Sequence, residues 1–128
     1  MFTILVVEDD APLQRMMSAF LGLNGFSIVG AANGEEALNA IDRVMPDLVI
    51  ADVMMPVMDG CEAARAIRAS GREDAENIPI IAMTANSFDD VRERIFEAGM
   101  NGYLGKPVEP GKLACAVRAA KEGSTPCM

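Results

Sequence analysis

Glu8-Asp9-Asp10, Asp52, Thr84 and Lys106 lie far apart in the chain, yet each follows a short apolar run. The runs are ILVV at 4–7, LVIA at 48–51, IIAM at 80–83 and YLG at 103–105. Together they offer carboxylates, one hydroxyl and one ammonium. The sequence has no histidine. That excludes a Ser-His-Asp triad, a Cys-His dyad, a histidine-ligated metal and a phosphohistidine formed on this chain. Were Glu8, Asp9 and Asp52 gathered at one place, about three negative charges would sit within a few ångströms, and such a group does not stay ionised without compensation. A lysine and a divalent cation balance it. Hard oxygen ligands, few in number and completed by water, favour Mg2+ over a dedicated Ca2+ cage. The set suits phosphoryl transfer: a carboxylate attacks phosphorus, while hydroxyl, ammonium and metal take the charge on the equatorial oxygens.

What gathers these groups is the alternation of strand and helix. ILVV is a buried-strand run. Asp10 then offers an N-cap, Pro12 falls in the first turn, and Leu13, Met16, Met17, Phe20 and Leu21 recur at helical spacing until Gly22–Gly25. A second strand spans 26–32. Asn33 and Glu36 have capping-box spacing before a helix that turns Leu38 and Ile41 inward and closes at Pro46. A third strand covers 48–51. Asp59 and Glu62 repeat the box before Ala63, Ala64 and Ile67. A polar loop at 70–77 leads to a fourth strand at 78–84. Ser87 caps a helix with Val91 and Ile95 inward. A turn at 99–102 precedes a short strand at 103–105, and Pro110 opens a last helix with Leu113, Ala116, Val117 and Ala120 on one face.

Five strands alternating with five helices imply an α/β sandwich with a mostly parallel sheet. The first, third and fourth strands are apolar on both faces, as interior parallel strands are. In such a sheet all C-terminal strand ends share one rim, where open α/β sheets bind ligands. Taken singly, each residue has an ordinary reading. Asp52 could be a loop carboxylate, Glu8-Asp9-Asp10 a charged helix entrance, Thr84 a strand residue and Lys106 a solvated turn. Their joint occurrence at four strand ends is what the ordinary readings do not explain.

With 128 residues the chain is expected to form one domain over 1–122, with a flexible tail at 123–128. The net charge of −8 disfavours direct contact with nucleic acid or anionic membrane. Three cysteines, Cys61, Cys115 and Cys127, are odd in number and lack CxxC spacing, which favours reduced thiols and a cytoplasmic location. No apolar run is long enough to span a membrane.

VVEDD at 6–10, DVMMPVMDG at 52–60, MTA at 83–85 and GYLGKP at 102–107 together resemble the response-regulator receiver domain of two-component signalling, of the chemotaxis-regulator type, over about residues 3–121. The resemblance implies a flavodoxin-like doubly wound parallel sheet of order 2-1-3-4-5 with five helices. It implies Asp52 as phosphoacceptor, with Asp9 holding Mg2+ directly, Glu8 through water, and Asp52 and the Met54 carbonyl completing the protein ligands. It implies Thr84 as switch hydroxyl, Lys106 as the partner of the phosphoryl group, a cis Lys106-Pro107 bond and Tyr103 as aromatic switch. The expected partners are a sensor histidine kinase or histidine phosphotransfer protein and a downstream protein target. That target would read the face formed by the fourth helix, fifth strand and fifth helix, with the chain a monomer or a phosphorylation-dependent dimer. Met54 and Asn86, two residues beyond Asp52 and Thr84, border the path of the hydrolytic water, and Met54 hydrogen-bonds water poorly.

Other readings compete. A haloacid-dehalogenase-like phosphatase shares the chemistry but needs Asp-x-Asp after its first strand, where this chain has Glu8-Asp9-Asp10. A P-loop at Gly99–Lys106 fails because five residues, not four, separate Gly99 from Gly105 and Pro107 stands where Ser or Thr belongs. A binding module with vestigial phosphorylation sits poorly with a full set of site residues. The chain resembles a stand-alone receiver, with a receiver excised from a hybrid histidine kinase as the alternative.

Overall fold

The computed structural model describes residues 2–53, 60–69, 78–84, 88–106 and 108–122. Within them the elements run β1 Thr3–Val7, α1 Ala11–Leu23, β2 Ser27–Ala31, α2 Gly34–Arg43, β3 Leu48–Asp52, α3 Gly60–Arg68, β4 Ile80–Thr84, α4 Phe88–Glu97, β5 Gly102–Gly105 and α5 Pro110–Glu122. All strand pairs are parallel, in the order β2-β1-β3-β4-β5. The expected architecture is therefore the observed one. Met54, Asn86, the caps at Asp59 and Ser87, the loop at 70–77, the Lys106-Pro107 bond and the tail from 123 lie outside the described residues.

Period-2 alternation divides the core into two layers. Leu5, Val7, Val49, Ala51, Ile80 and Ala82 point to one face, where Ala37, Ile41, Ala64, Ile67 and Ile95 of α2, α3 and α4 cover them. Ile4, Val6, Leu48, Ile50, Ile81 and Met83 point to the other, under Met17 and Leu21 of α1 and Leu113, Ala116 and Val117 of α5. Every residue of β3 and β4 is buried, whereas edge strand β2 is half-buried. Each fully buried Leu or Ile side chain contributes roughly 1.5–3 kcal/mol. That burial holds β3 at the centre and fixes where its last residue emerges.

Local capping signals are met in most places. Asp10 caps α1, its Oδ1 accepting from Leu13 N–H at 3.4 Å. Asn33 Oδ1 accepts from Glu36 N–H at 3.0 Å, but the Glu36 carboxylate reaches Ala32 N–H rather than Asn33, so the box closes one residue upstream. Both α1 and α4 end in a Schellman-like turn: Phe26 N–H donates to the Leu21 carbonyl and Met100 N–H to the Ile95 carbonyl. Gly25 and Gly99 supply the positive φ that each turn requires.

Three expectations need correction. Met16 is 45% exposed, because the inward stripe of α1 is only wide enough for Met17 and Leu21, with Leu13 and Phe20 at its margin. Asp52 is the last residue of β3 rather than the first beyond it. Cys61 is a buried thiol on α3, its Sγ 3.7 Å from the Arg94 carbonyl. Cys115 on α5, however, is disulfide-bonded. An odd cysteine count excludes a full disulfide framework, not a single bridge.

Candidate functional site

The rim forms because the ladders continue past the strands. Glu8 N–H donates to the Ala31 carbonyl at 3.0 Å, Val53 N–H to Met83 at 2.9 Å and Lys106 N–H to Thr84 at 2.9 Å. In register, Val7 stands beside Ala51, Asp52 beside Met83 and Thr84 beside Gly105. The residues following β1 and β5 are thus carried to the end of β3, at the edge where β1 and β4 flank the central strand.

Glu8, Asp52 and Thr84 are buried there, the only polar residues among those described to be so. Asp9 is exposed and Lys106 is half-buried. One carboxylate oxygen each from Glu8, Asp9 and Asp52 lies within 4.8 Å of the others. Lys106 Nζ donates to Asp52 Oδ2 at 2.8 Å and to Glu8 Oε1 at 3.3 Å. Glu8 Oε1 also accepts from Asp10 N–H at 3.2 Å, so the carboxylate closes a small loop on its own chain.

Electrostatics show an incomplete balance. Burial, then the charge of Asp52, push the Glu8 carboxyl up to about 7, with the Asp10 N–H and Lys106 pulling the other way. Burial disfavours the Lys106 ammonium, yet its hydrogen bond to Asp52 and the charges of Asp52 and Glu8 hold its pKa above the usual lysine value. Glu8 Oε2 is buried and accepts no hydrogen bond, although Lys106 Nζ stands 3.3 Å away. One ammonium does not neutralise three carboxylates. A buried lone oxygen facing two more carboxylates is the donor set a hard divalent cation needs. The residues therefore fit Mg2+, with Glu8, Asp9 and Asp52 as the ones that would hold it.

Of the residues singled out in the sequence, Glu8, Asp9, Asp52 and Lys106 meet directly. Thr84 ends the neighbouring strand on the same rim. Met54 lies outside the described residues. Tyr103, on β5 in register with Ala82, is half-buried against the layer that α2, α3 and α4 cover. The motifs do not flag Gln14, whose side-chain amide donates to the carbonyls of Glu8 at 3.2 Å and Ala31 at 2.9 Å. The one sequence signal is Gly30, where a Cβ would stand 3.0 Å from the oxygen of that amide, tighter than most contacts.

Comparison with known proteins agrees with this geometry. The family model described as "Response regulator receiver domain" matches residues 4–118. The response regulator MprA of Mycolicibacterium vanbaalenii is 39% identical over 125 residues, which is 96% of this chain and 52% of the relative. A probable transcriptional regulator, ycf27, of Guillardia theta is 38% identical over 118 residues, 91% of this chain and 44% of the relative. The chain thus spans about half the length of the curated relatives it matches. Among solved structures, the Vibrio cholerae chemotaxis protein CheY4 superposes with a TM-score of 0.89 at 30% identity, covering 94% of this chain and 98% of that one. The receiver domain of the Pseudomonas aeruginosa sensor histidine kinase PA1611, solved with magnesium coordinated in its active-site cleft, superposes with a TM-score of 0.81 at 36% identity, covering 94% of this chain and 95% of that one.

Proposed function

The chain belongs to the response-regulator receiver domain family, and from that premise we propose that it is a phosphorylation-dependent switch that takes a phosphoryl group onto Asp52. The donor is a phosphohistidine on a sensor histidine kinase or histidine phosphotransfer protein. The observation that supports this most is the buried Asp52 carboxylate, 2.8 Å from Lys106 Nζ and grouped with Glu8 and Asp9 within 4.8 Å.

A carboxylate oxygen of Asp52 attacks phosphorus. The P–N bond of the donor breaks, the P–O bond forms, and the electron pair returns to the donor imidazole, which takes up a proton. Lys106 moves its hydrogen bond from the carboxylate to a phosphoryl oxygen. Thr84 donates its hydroxyl to another, and Tyr103 turns toward the space that this opens. Glu8, Asp9 and Asp52 would hold Mg2+, which would supply positive charge against the acidic cluster and the phosphoryl oxygens. The rearranged α4-β5-α5 face is what a downstream protein reads. The chain promotes its own phosphorylation and dephosphorylation without turning over external substrates. Family membership supports this reading over the phosphatase one.

Incubation with Mg2+ and a small phosphodonor, followed by intact mass measurement, tests this. One phosphoryl group is gained by the wild type and none by Asp52→Ala; no gain in the wild type sinks the reading. A second context, a receiver belonging to a hybrid kinase, is favoured by the likeness to the PA1611 receiver. The site chemistry is the same in both, and the full reading frame separates them.

A further inference from the structure

Gln14 lies on α1, and its side-chain amide donates away from its own helix. Nε2 donates to the Glu8 carbonyl at 3.2 Å and to the Ala31 carbonyl at 2.9 Å. The same Ala31 carbonyl accepts Glu8 N–H at 3.0 Å. The ends of β1 and β2, where ladder pairing stops, are therefore tied by one side-chain amide. Both polar main-chain atoms of Glu8 are held: its N–H by Ala31 and its carbonyl by Gln14. Its carboxylate in turn accepts Asp10 N–H at 3.2 Å. The Glu8-Asp9 peptide plane is fixed as a result, and the two acidic side chains leave from either side of that peptide.

Strand β2 leaves room for the amide at Gly30. A Cβ on Gly30 would come within 3.0 Å of Gln14 Oε1 and 3.1 Å of its Cδ, tighter than ordinary contacts. Strand β2 thus lacks a side chain at the place where the amide lies against it, although an interior glycine weakens a strand.

We propose that Gln14 is a positioning residue for the acidic pair: by bridging the Glu8 and Ala31 carbonyls it holds Glu8 and Asp9 in the arrangement that binds Mg2+, and Gly30 makes room for it. This rests on the reading of Glu8, Asp9 and Asp52 as a Mg2+ site. Groups that orient metal ligands without touching the metal commonly change affinity by about 10–100-fold when removed.

The test is calorimetric titration of the full chain with magnesium chloride, without phosphodonor. Gln14→Leu keeps the bulk and loses the donors, and it weakens Mg2+ binding about ten-fold. Gly30→Ala displaces the amide and weakens binding when made alone. Added to Gln14→Leu it has no further effect, since the two changes act through one contact. Ile41→Val, in the opposite core layer, leaves Mg2+ affinity unchanged and controls for general loss of stability. Equal Mg2+ affinity in wild type and Gln14→Leu overturns the inference alone, as does additivity of the two substitutions or a parallel fall in Ile41→Val. Should Gln14→Leu not fold, unchanged affinity in Gly30→Ala overturns it. A wild type that binds no Mg2+ removes the metal-site reading and the inference with it.

Discussion

Lys106 Nζ stands 2.8 Å from Asp52 Oδ2, a residue 54 positions away in sequence, and 3.3 Å from Glu8 at the same time. A single ammonium serves two buried carboxylates. The rim leans on that ammonium whenever Mg2+ is absent.

Lys106→Met should therefore destabilise the metal-free protein. Stranding one partner of a fully buried pair costs about 3–5 kcal/mol. The Lys106 side chain is 23% exposed, so a loss of about 1–3 kcal/mol is expected near pH 8. The penalty shrinks below pH 7, where Glu8 takes up a proton. On the alkaline side the pair persists until pH passes the raised lysine value, above 10.5. Urea unfolding in chelator at several pH values checks both arms.

Glu8 gives a second pH signature. Its carboxyl is raised from 4.5 to about 7 in the folded protein. The folded state then binds the proton more tightly than the unfolded one, so the contribution is full below pH 4.5 and lost as pH climbs to about 7. The size is on the order of 3 kcal/mol. Glu8→Gln, which mimics the protonated form, should gain stability relative to the metal-free wild type by that amount across this window. A difference that stays flat with pH would remove the assignment.

Arg68 anchors the far end of the sheet. Its Nε and Nη2 donate to the Gly99 carbonyl at 3.1 and 2.7 Å, and Nη2 also reaches Asn101 Oδ1 at 2.9 Å. Asn101 Oδ1 accepts Ile80 N–H as well, at 2.8 Å. Arg68→Met keeps the stem and removes the donors, at a cost of about 1.5–3 kcal/mol. Amide exchange should quicken first at 98–101; uniform quickening along the chain would argue against a local anchor.

The lifetime of the phosphoryl group should depend on residue 54. On the proposed switch reading, with residue 54 beside the hydrolytic water as the family resemblance implies, Met54→Asn is expected to speed dephosphorylation. Time courses of intact mass after removal of the phosphodonor measure it, and an unchanged or slower rate refutes the idea.

Strand ends are readable in the sequence because burial leaves little choice: a fully apolar run must lie inside, and the polar group that ends it must emerge at the rim. Glu8, Asp52, Thr84 and Lys106 stand out for that reason. Met16 turns outward because apolar spacing alone does not say how wide a helical stripe the neighbours cover. Gln14, marked in the sequence by Gly30 alone, and Arg68 escape the motifs for a different reason. Their partners include main-chain carbonyls 17 and 31 residues away, and a carbonyl leaves no mark on the pattern of side chains. The Cys115 bridge likewise depends on approach in space rather than on spacing.

Cys61 gives the molecule a built-in gauge. Its thiol is sealed between α3 and the Arg94 carbonyl of α4, at 1% exposure. A thiol reagent reaches it only when those two helices part, so the labelling rate counts their openings. Because α4 belongs to the face that the proposed switch remodels, the same clock run with and without phosphodonor reads the looseness of that layer without any engineered probe.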